Sequence, residues 1–98
     1  MARLNWTEQA VSDLSNIAEY IGADSKKYAA LTINGIRAMA KQLLISPYSG
    51  RKVPEIDQDQ VRELIYGNYR IVYYLVSSSR IDILTIHHSS RRFPGDKE

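Results

Sequence analysis

Four side chains in the second half of the chain could act together on a phosphodiester bond. Glu63 and Arg70 lie on either side of a Gly-Asn dipeptide, and His87 and His88 follow near the end of a later β-prone run. Cleavage by transesterification needs a base, an acid and a cation that stabilises the charged phosphorus centre. Glu63 could be the base, Arg70 the cation, and either histidine the acid, because imidazole titrates near neutral pH.

The same residues also have a purely structural interpretation. Arg70 could pair with Glu63 as an ion bridge, and a histidine on a half-buried strand is usually a packed side chain. His87 and His88 do not suggest a metal site, because adjacent strand residues point to opposite faces and no third ligand is evident. The chain has no cysteine, which excludes disulfides and thiolate ligands. We expect no metal and no cofactor.

Composition limits the classes of protein that remain. With 98 residues, 44% of them hydrophobic and 24% charged, the chain has the size and make-up of one globular domain. No apolar run approaches the roughly 20 residues of a membrane span, and the first residues lack the apolar stretch of a signal peptide. We expect a cytoplasmic protein with no membrane contact. A net charge of +2 is low for a protein that binds nucleic acid mainly through phosphate contacts.

The first half of the chain has helical periodicity. Residues 4–6 form a candidate strand, and Thr7 is a good N-cap for a helix that ends at Gly22. A second helix begins at 24 or 25 and ends near Ser46, because the following proline disfavours helix in the residue before it. Two amphipathic helices with so short a connection predict an antiparallel hairpin.

The second half changes to β-prone runs at 61–66, 69–76 and 80–88, after a polar loop over 47–60. Gly-Asn separates the first two runs, which indicates a two-residue hairpin turn, and three serines separate the last two. The predicted fold is α+β, in the order β-α-α-β-β-β, an antiparallel sheet with an α-helical hairpin on one face. The whole chain forms one domain, and 91–98 is expected to be a mobile polar tail.

The Gly-Asn turn fixes which side chains share a face. Tyr66 opposes Tyr69, and the helix-facing side carries Leu64, Tyr66, Tyr69, Ile71, Tyr73 and Leu75, with Arg62 as its misfit. The other face carries Val61, Glu63, Ile65, Arg70, Val72, Tyr74 and Val76. This second face is too apolar to stay in water, so either a partner or the chain's own tail must cover it.

The register of the last strand stays open. If two serines form the turn, Arg70 opposes His87; if all three form it, Arg70 faces Ile86 with His88 diagonal to it. One histidine therefore lies near Arg70 in either case.

The ordered motifs resemble those of the RelE/ParE superfamily of toxins. V-R-E-L-I-Y-G-N-Y-R-I-V-Y-Y-L at 61–75 and I-D-I-L-T-I-H-H-S-S-R-R at 81–92 follow that family's pattern, as do the first strand, the two helices and P-x-x-G-R-x-V at 47–53. The resemblance implies the toxin of a type II toxin–antitoxin pair, a class linked to growth inhibition and plasmid stabilisation. Its antitoxin would lie on the second face, at Val61, Ile65, Arg70, Val72 and Tyr74.

Two activities occur on this family's fold. RelE-like members are ribosome-dependent mRNA endoribonucleases, in which the arginine at the position of Arg70 contacts phosphate, whereas ParE-like members inhibit DNA gyrase by binding. The nucleases carry lysines where this chain has Val61 and Glu63, and a basic residue and a tyrosine where it has Ser90 and Asp96. We therefore expect a ParE-like gyrase inhibitor, with the nuclease as the alternative.

Basic residues in two segments would then contact the target, namely Arg51, Lys52, Arg91 and Arg92. A plain interaction module with an adhesive sheet face is a third hypothesis, which an absence of toxicity would favour.

Overall fold

The computed structural model describes residues 2–89, and it has the predicted α+β architecture. A hairpin of two helices packs on one face of a five-stranded sheet. The expected tail at 91–98 lies outside the described residues. The elements are β1 (Arg3–Trp6), α1 (Glu8–Gly22), α2 (Lys26–Lys41) with a 3₁₀ turn (Gln42–Leu44), β2 (Arg51–Lys52), β3 (Val61–Tyr66), β4 (Tyr69–Ser77) and β5 (Arg80–His88).

Side-chain caps set the starts of both helices. Thr7 Oγ1 accepts a hydrogen bond from the Ala10 backbone N–H at 3.2 Å and donates one to the Ile83 carbonyl at 2.8 Å, so the same hydroxyl joins α1 to β5. Ser25 Oγ accepts from the Tyr28 N–H at 3.0 Å and begins α2. The predicted helix starts and the end of α1 at Gly22 are confirmed.

The sheet has the strand order β1-β5-β4-β3-β2 and is mixed rather than wholly antiparallel. β1 runs parallel to β5, with Arg3 beside Arg80. Parallel strands need a long connection, and here both helices and the strands β2 to β4 lie between the two along the chain. β2 is a two-residue strand inside the predicted loop, and it pairs with β3 at the opposite edge. The fold class is confirmed with these two additions.

The predicted register between β3 and β4 is confirmed, and that between β4 and β5 is now settled. Ser77 opposes Arg80 across a two-residue serine turn, so Arg70 opposes His87. Between these two points the register shifts twice, at Val76 on β4 and at Leu84 on β5, and the two shifts cancel. Cancelling bulges restore the pairing that the turn alone predicts.

The bulge on β5 is bound by a helix side chain. Asp13 on α1 accepts hydrogen bonds through Oδ2 from the Thr85 hydroxyl and from the Ile86 backbone N–H, the latter at 3.0 Å. Ile86 consequently points to the helices and joins the main core. The buried members of that core are Ala10, Leu14, Ile36, Ala40, Leu43, Ile71, Tyr73, Leu75, Ile81, Ile83 and Ile86.

The segment 45–60 folds back and is anchored on the sheet. The buried Tyr73 hydroxyl accepts from the Gly50 N–H at 3.0 Å and donates to the Pro47 carbonyl at 2.9 Å. A side chain at position 50 would clash with that hydroxyl, since an added Cβ would lie 2.5 Å from it. Val53 is buried against Val61 and Val72 and forms a second, smaller core.

Replacing Tyr73 with phenylalanine tests this anchor. We expect Tyr73→Phe to lower the free energy of unfolding by about 1–3 kcal/mol, because it leaves the buried Gly50 N–H without its acceptor. Urea unfolding followed by circular dichroism measures the change. Tyr74→Phe is the matched control, since that side chain lies half-exposed on the other face, and a loss as large as that for Tyr73 would contradict the assignment.

Candidate functional site

The sequence-predicted pair Glu63 and Arg70 is the centre of a network of four charged side chains. Arg70 Nε donates to Glu63 Oε1 at 2.6 Å, and Arg51 Nε donates to Glu63 Oε2 at 2.6 Å. The two terminal nitrogens of Arg70 bind both oxygens of Glu55 at 2.9 and 2.7 Å. Charges therefore alternate along the line Arg51, Glu63, Arg70, Glu55.

Three adjacent strands and one loop position this network. Glu63 lies on β3 opposite Arg51 of β2, and Arg70 lies on β4 diagonal to Glu63. Glu55 comes from the irregular segment after β2, where Val53 fixes the backbone in the second core. Glu55 is not identifiable from the sequence, because a lone acidic residue in a polar loop carries no periodic signal.

Burial makes this network strong. The Glu63 side chain has no exposed surface and that of Arg70 is only 11% exposed. Its hydrogen bond to Arg70 holds the pKa of Glu55 well below its usual range, at about 2, although burial acts in the opposite direction. By accepting these hydrogen bonds from Arg70, the Glu55 carboxylate in turn raises the pKa of Arg70. A buried carboxylate needs such partners, because removing a charge from water without them costs several kcal/mol.

The two histidines lie on different faces of the sheet. His87 opposes Arg70 and therefore shares its face. His88 opposes Tyr69 on the helix side, where the two rings meet edge to face with centroids 5.2 Å apart. Of the two candidate acids, only His87 remains beside Arg70.

These contacts change what the candidate catalytic set can do. Glu63 has no exposed surface, and both of its oxygens already accept hydrogen bonds from guanidinium groups, so it cannot reach a proton on a substrate. Arg70 is held by two carboxylates, which a phosphate group would have to displace. The constellation is therefore arranged as an ion network that fixes the loop to the sheet.

The second face is only partly open, which corrects one expectation from the sequence. Val61 and Val72 are 6% and 1% exposed, because Val53 of the chain's own loop covers them, and they offer a partner almost no surface. Ile65 and Tyr74 remain accessible, at 46% and 38%. The accessible part of this face is thus smaller than the sequence suggested.

The basic residues assigned to target contact are also partly neutralised. Arg51 pairs with Glu63, although much of its side chain remains exposed. Lys52 lies 3.3 Å from Asp57 and 3.4 Å from Asp59, and these carboxylates raise its pKa. Arg91 and Arg92 lie outside the described residues.

Within residues 2–89, no group of three or more histidine, cysteine, aspartate or glutamate side chains is placed to hold a metal ion. In the same part of the chain, neither helix is long and apolar enough to cross a bilayer.

Comparison with known proteins gives three findings. Residues 4–93 match the family model described as the ParE toxin of a type II toxin–antitoxin system, parDE. The chain is 30% identical over 91 residues to Toxin RelE2 of Caulobacter vibrioides, an alignment that covers 93% of this chain and 99% of that one. It also superposes on a solved structure titled as the chromosomal ParDE system from P. aeruginosa, with a TM-score of 0.71, 26% identity, and coverage of 90% and 96% of the two chains.

The contact between Glu55 and Arg70 makes stability depend on pH. Because folding lowers the pKa of Glu55 from 4.5 to about 2, its contribution is complete above pH 4.5 and is lost as the pH falls toward 2. We expect Glu55→Gln to lose about 1–2 kcal/mol at pH 7 and to show a shallower decline than wild type between pH 4.5 and 2. Urea unfolding across this range measures both effects.

Glu19→Gln is the control for that measurement, because it removes one exposed negative charge from α1. A Glu55→Gln profile that parallels the wild-type profile through this window would contradict the assignment.

Removing Arg70 alone leaves buried Glu63 with one cation fewer. We expect Arg70→Met to cost about 3–5 kcal/mol, and the double variant Glu63→Leu/Arg70→Met to cost less, because it also removes the buried charge. Chemical denaturation of both variants measures this difference. A double variant less stable than Arg70→Met would contradict the account, and it would show that Glu63 is held mainly by Arg51.

Proposed function

The chain belongs to the ParE toxin family of type II toxin–antitoxin systems, and we propose that it arrests growth by binding DNA gyrase. The family match, which spans residues 4–93, supports a toxin rather than a plain interaction module. Binding to gyrase would place its action in the cytoplasm.

The arrangement around Arg70 carries this proposal. Efficient phosphodiester cleavage needs a base that reaches the substrate and a cation that is available to the phosphate. Here the candidate base Glu63 is fully buried, and Arg70 is bound by both Glu63 and Glu55. The set that could have cut RNA instead stabilises the loop, which leaves surface recognition as the better supported activity.

A ribosome-dependent mRNA endoribonuclease is the second candidate. It is favoured by the position of His87 directly opposite Arg70 and by a relative that carries the name Toxin RelE2. For this activity, mRNA or the ribosome would have to displace Glu55 from Arg70. That displacement would cost two short charge-assisted hydrogen bonds, so it makes the nuclease the weaker candidate.

An antitoxin is the expected protein partner, and we place part of its contact on the accessible region of the second face. Ile65 and Tyr74 are apolar or aromatic, exposed, and adjacent to the charged network. Exposed apolar side chains next to a charged rim are typical of a protein interface. Arg70, Val61 and Val72, which expose little surface, would support that contact from beneath.

For gyrase itself, Arg51 is the best-placed described residue of the proposed target-binding set. Its side chain is 64% exposed while its backbone is held in β2, so its position is fixed and its charge is accessible. Lys52 lies between two carboxylates and would contribute less. Arg91 and Arg92 remain part of the proposal on sequence grounds.

Purified protein added to gyrase and relaxed plasmid tests the proposal. We expect loss of supercoiling at stoichiometric toxin, and restored activity when the antitoxin encoded beside the toxin gene is added. In variants that circular dichroism and urea unfolding show to be folded, Arg51→Gln should weaken inhibition several-fold, while Arg3→Gln, which removes an exposed charge at the far edge strand, should not.

Mapping of mRNA 5′ ends after induced expression decides between the two candidates. Unchanged messages in arrested cells would support gyrase binding. New ends inside reading frames that disappear in a folded Arg70→Ala variant would overturn it and assign the site to Arg70 and His87.

A further inference from the structure

Charge is separated between the two helices of the hairpin. α2 contains four basic residues and no acidic one, whereas α1 contains three acidic residues and no basic one. The basic residues are Lys26, Lys27, Arg37 and Lys41. A chain with a net charge of only +2 therefore presents one helix that is strongly positive.

The four cations lie on one side of α2. At 3.6 residues per turn each residue advances by about 100°, which places all four within a sector about 100° wide. Ala30 and Asn34 fall inside the same sector, and all six side chains are exposed. We call these six residues the basic stripe.

The stripe carries charge that no ion pair within the described part of the chain neutralises. Within residues 2–89, none of its four cations lies within 4.0 Å of a carboxylate oxygen, whereas Arg51, Lys52, Arg70 and Arg80 all form ion pairs. Ion pairs thus account for much of the positive charge on the sheet side, and the stripe is where unpaired cations concentrate.

We propose that the basic stripe binds the phosphate backbone of duplex DNA. Lys27 and Arg37 are ten residues apart, or about 15 Å along the helix, which exceeds the about 12 Å width of the major groove. Cations at the two ends can therefore contact phosphates of the two strands that border one groove. Because Ala30 and Asn34 have small side chains, the middle of the stripe does not hold the DNA backbone away from the cations at its two ends.

The acidic residues of α1 do not prevent such contact. Asp13 is turned toward β5, where it binds Thr85 and the Ile86 N–H. Packed helices lie 8–10 Å apart, which is about one Debye length at physiological salt, so the charges of Glu8 and Glu19 are partly screened at that distance. Phosphates in direct contact with the stripe are screened far less.

An acidic protein segment is the competing occupant. Protein interfaces generally include apolar contacts at their centre. Within the stripe only Ala30 is apolar, and the exposed Leu31 lies outside the sector. The chemistry of the stripe is that of a phosphate-binding surface.

This inference rests on the proposed function, since gyrase acts on duplex DNA and a toxin that also holds that DNA would engage the complex of enzyme and substrate. Fluorescence anisotropy of a labelled 24-base-pair duplex, without gyrase, tests the inference separately. We expect binding at low salt, with log K falling against log salt by a slope of about −2 to −3.

The test variant is Lys27→Gln/Arg37→Gln, and its matched control is Arg3→Gln/Arg80→Gln, which changes net charge equally. We expect the test variant to bind at least tenfold more weakly with a slope reduced by about two, and the control to lose less than threefold. Circular dichroism and urea unfolding verify that both variants fold.

Three outcomes would overturn the inference: no binding of wild type to duplex, equal losses in the two variants, or tighter stripe-dependent binding of a glutamate-rich 15-residue peptide. Gyrase inhibition by a wild-type protein that does not bind DNA would refute the inference and leave the proposed function intact. DNA binding without gyrase inhibition would refute the proposed function and leave the DNA-binding inference intact.

Discussion

The buried carboxylate of Glu63 is the constraint on which the second face of the sheet depends. A charge with no exposed surface is tolerated only when both oxygens are bound, and here Arg51 and Arg70 bind one each. Arg51 can reach Glu63 only if the segment after α2 returns to the sheet edge as β2. Glu55 then closes the network from the same segment. Satisfying this buried charge, together with the Tyr73 anchor and the burial of Val53, holds the loop on the sheet.

This requirement bears directly on activity. A base, a cation and an imidazole come from neighbouring strands, as catalysis would need, but two of the three are engaged in holding the fold together. Catalytic groups must be available to the substrate, and here Glu63 is fully buried while Arg70 is held by two carboxylates. This network supports the proposal that the protein acts by binding its target rather than by cutting a nucleic acid.

Two other features show how helices and sheet are coupled. Thr7, the N-cap of α1, and Asp13, within α1, both form hydrogen bonds to β5, the first at the carbonyl of Ile83 and the second at Thr85 and Ile86 beside the bulge. A sequence pattern assigns Thr7 only a capping role and Asp13 only a polar position. The second role of Asp13 follows from the bulge, because the Ile86 N–H beside it needs an acceptor, whereas Thr7 donates its hydroxyl to a β5 carbonyl.

The sequence by itself determined the helices, the β3–β4 register and the Glu63–Arg70 pair, because caps, a Gly-Asn turn and period-two alternation are local signals. It also limited the cross-strand neighbour of Arg70 on β5 to two possibilities. The two-residue serine turn in the structure selects His87. Only the tertiary structure revealed the parallel pairing of β1, the burial of Val61 and Val72 under Val53, and the part played by Glu55. These depend on where an irregular segment packs, which is set by long-range burial and charge satisfaction rather than by any local pattern.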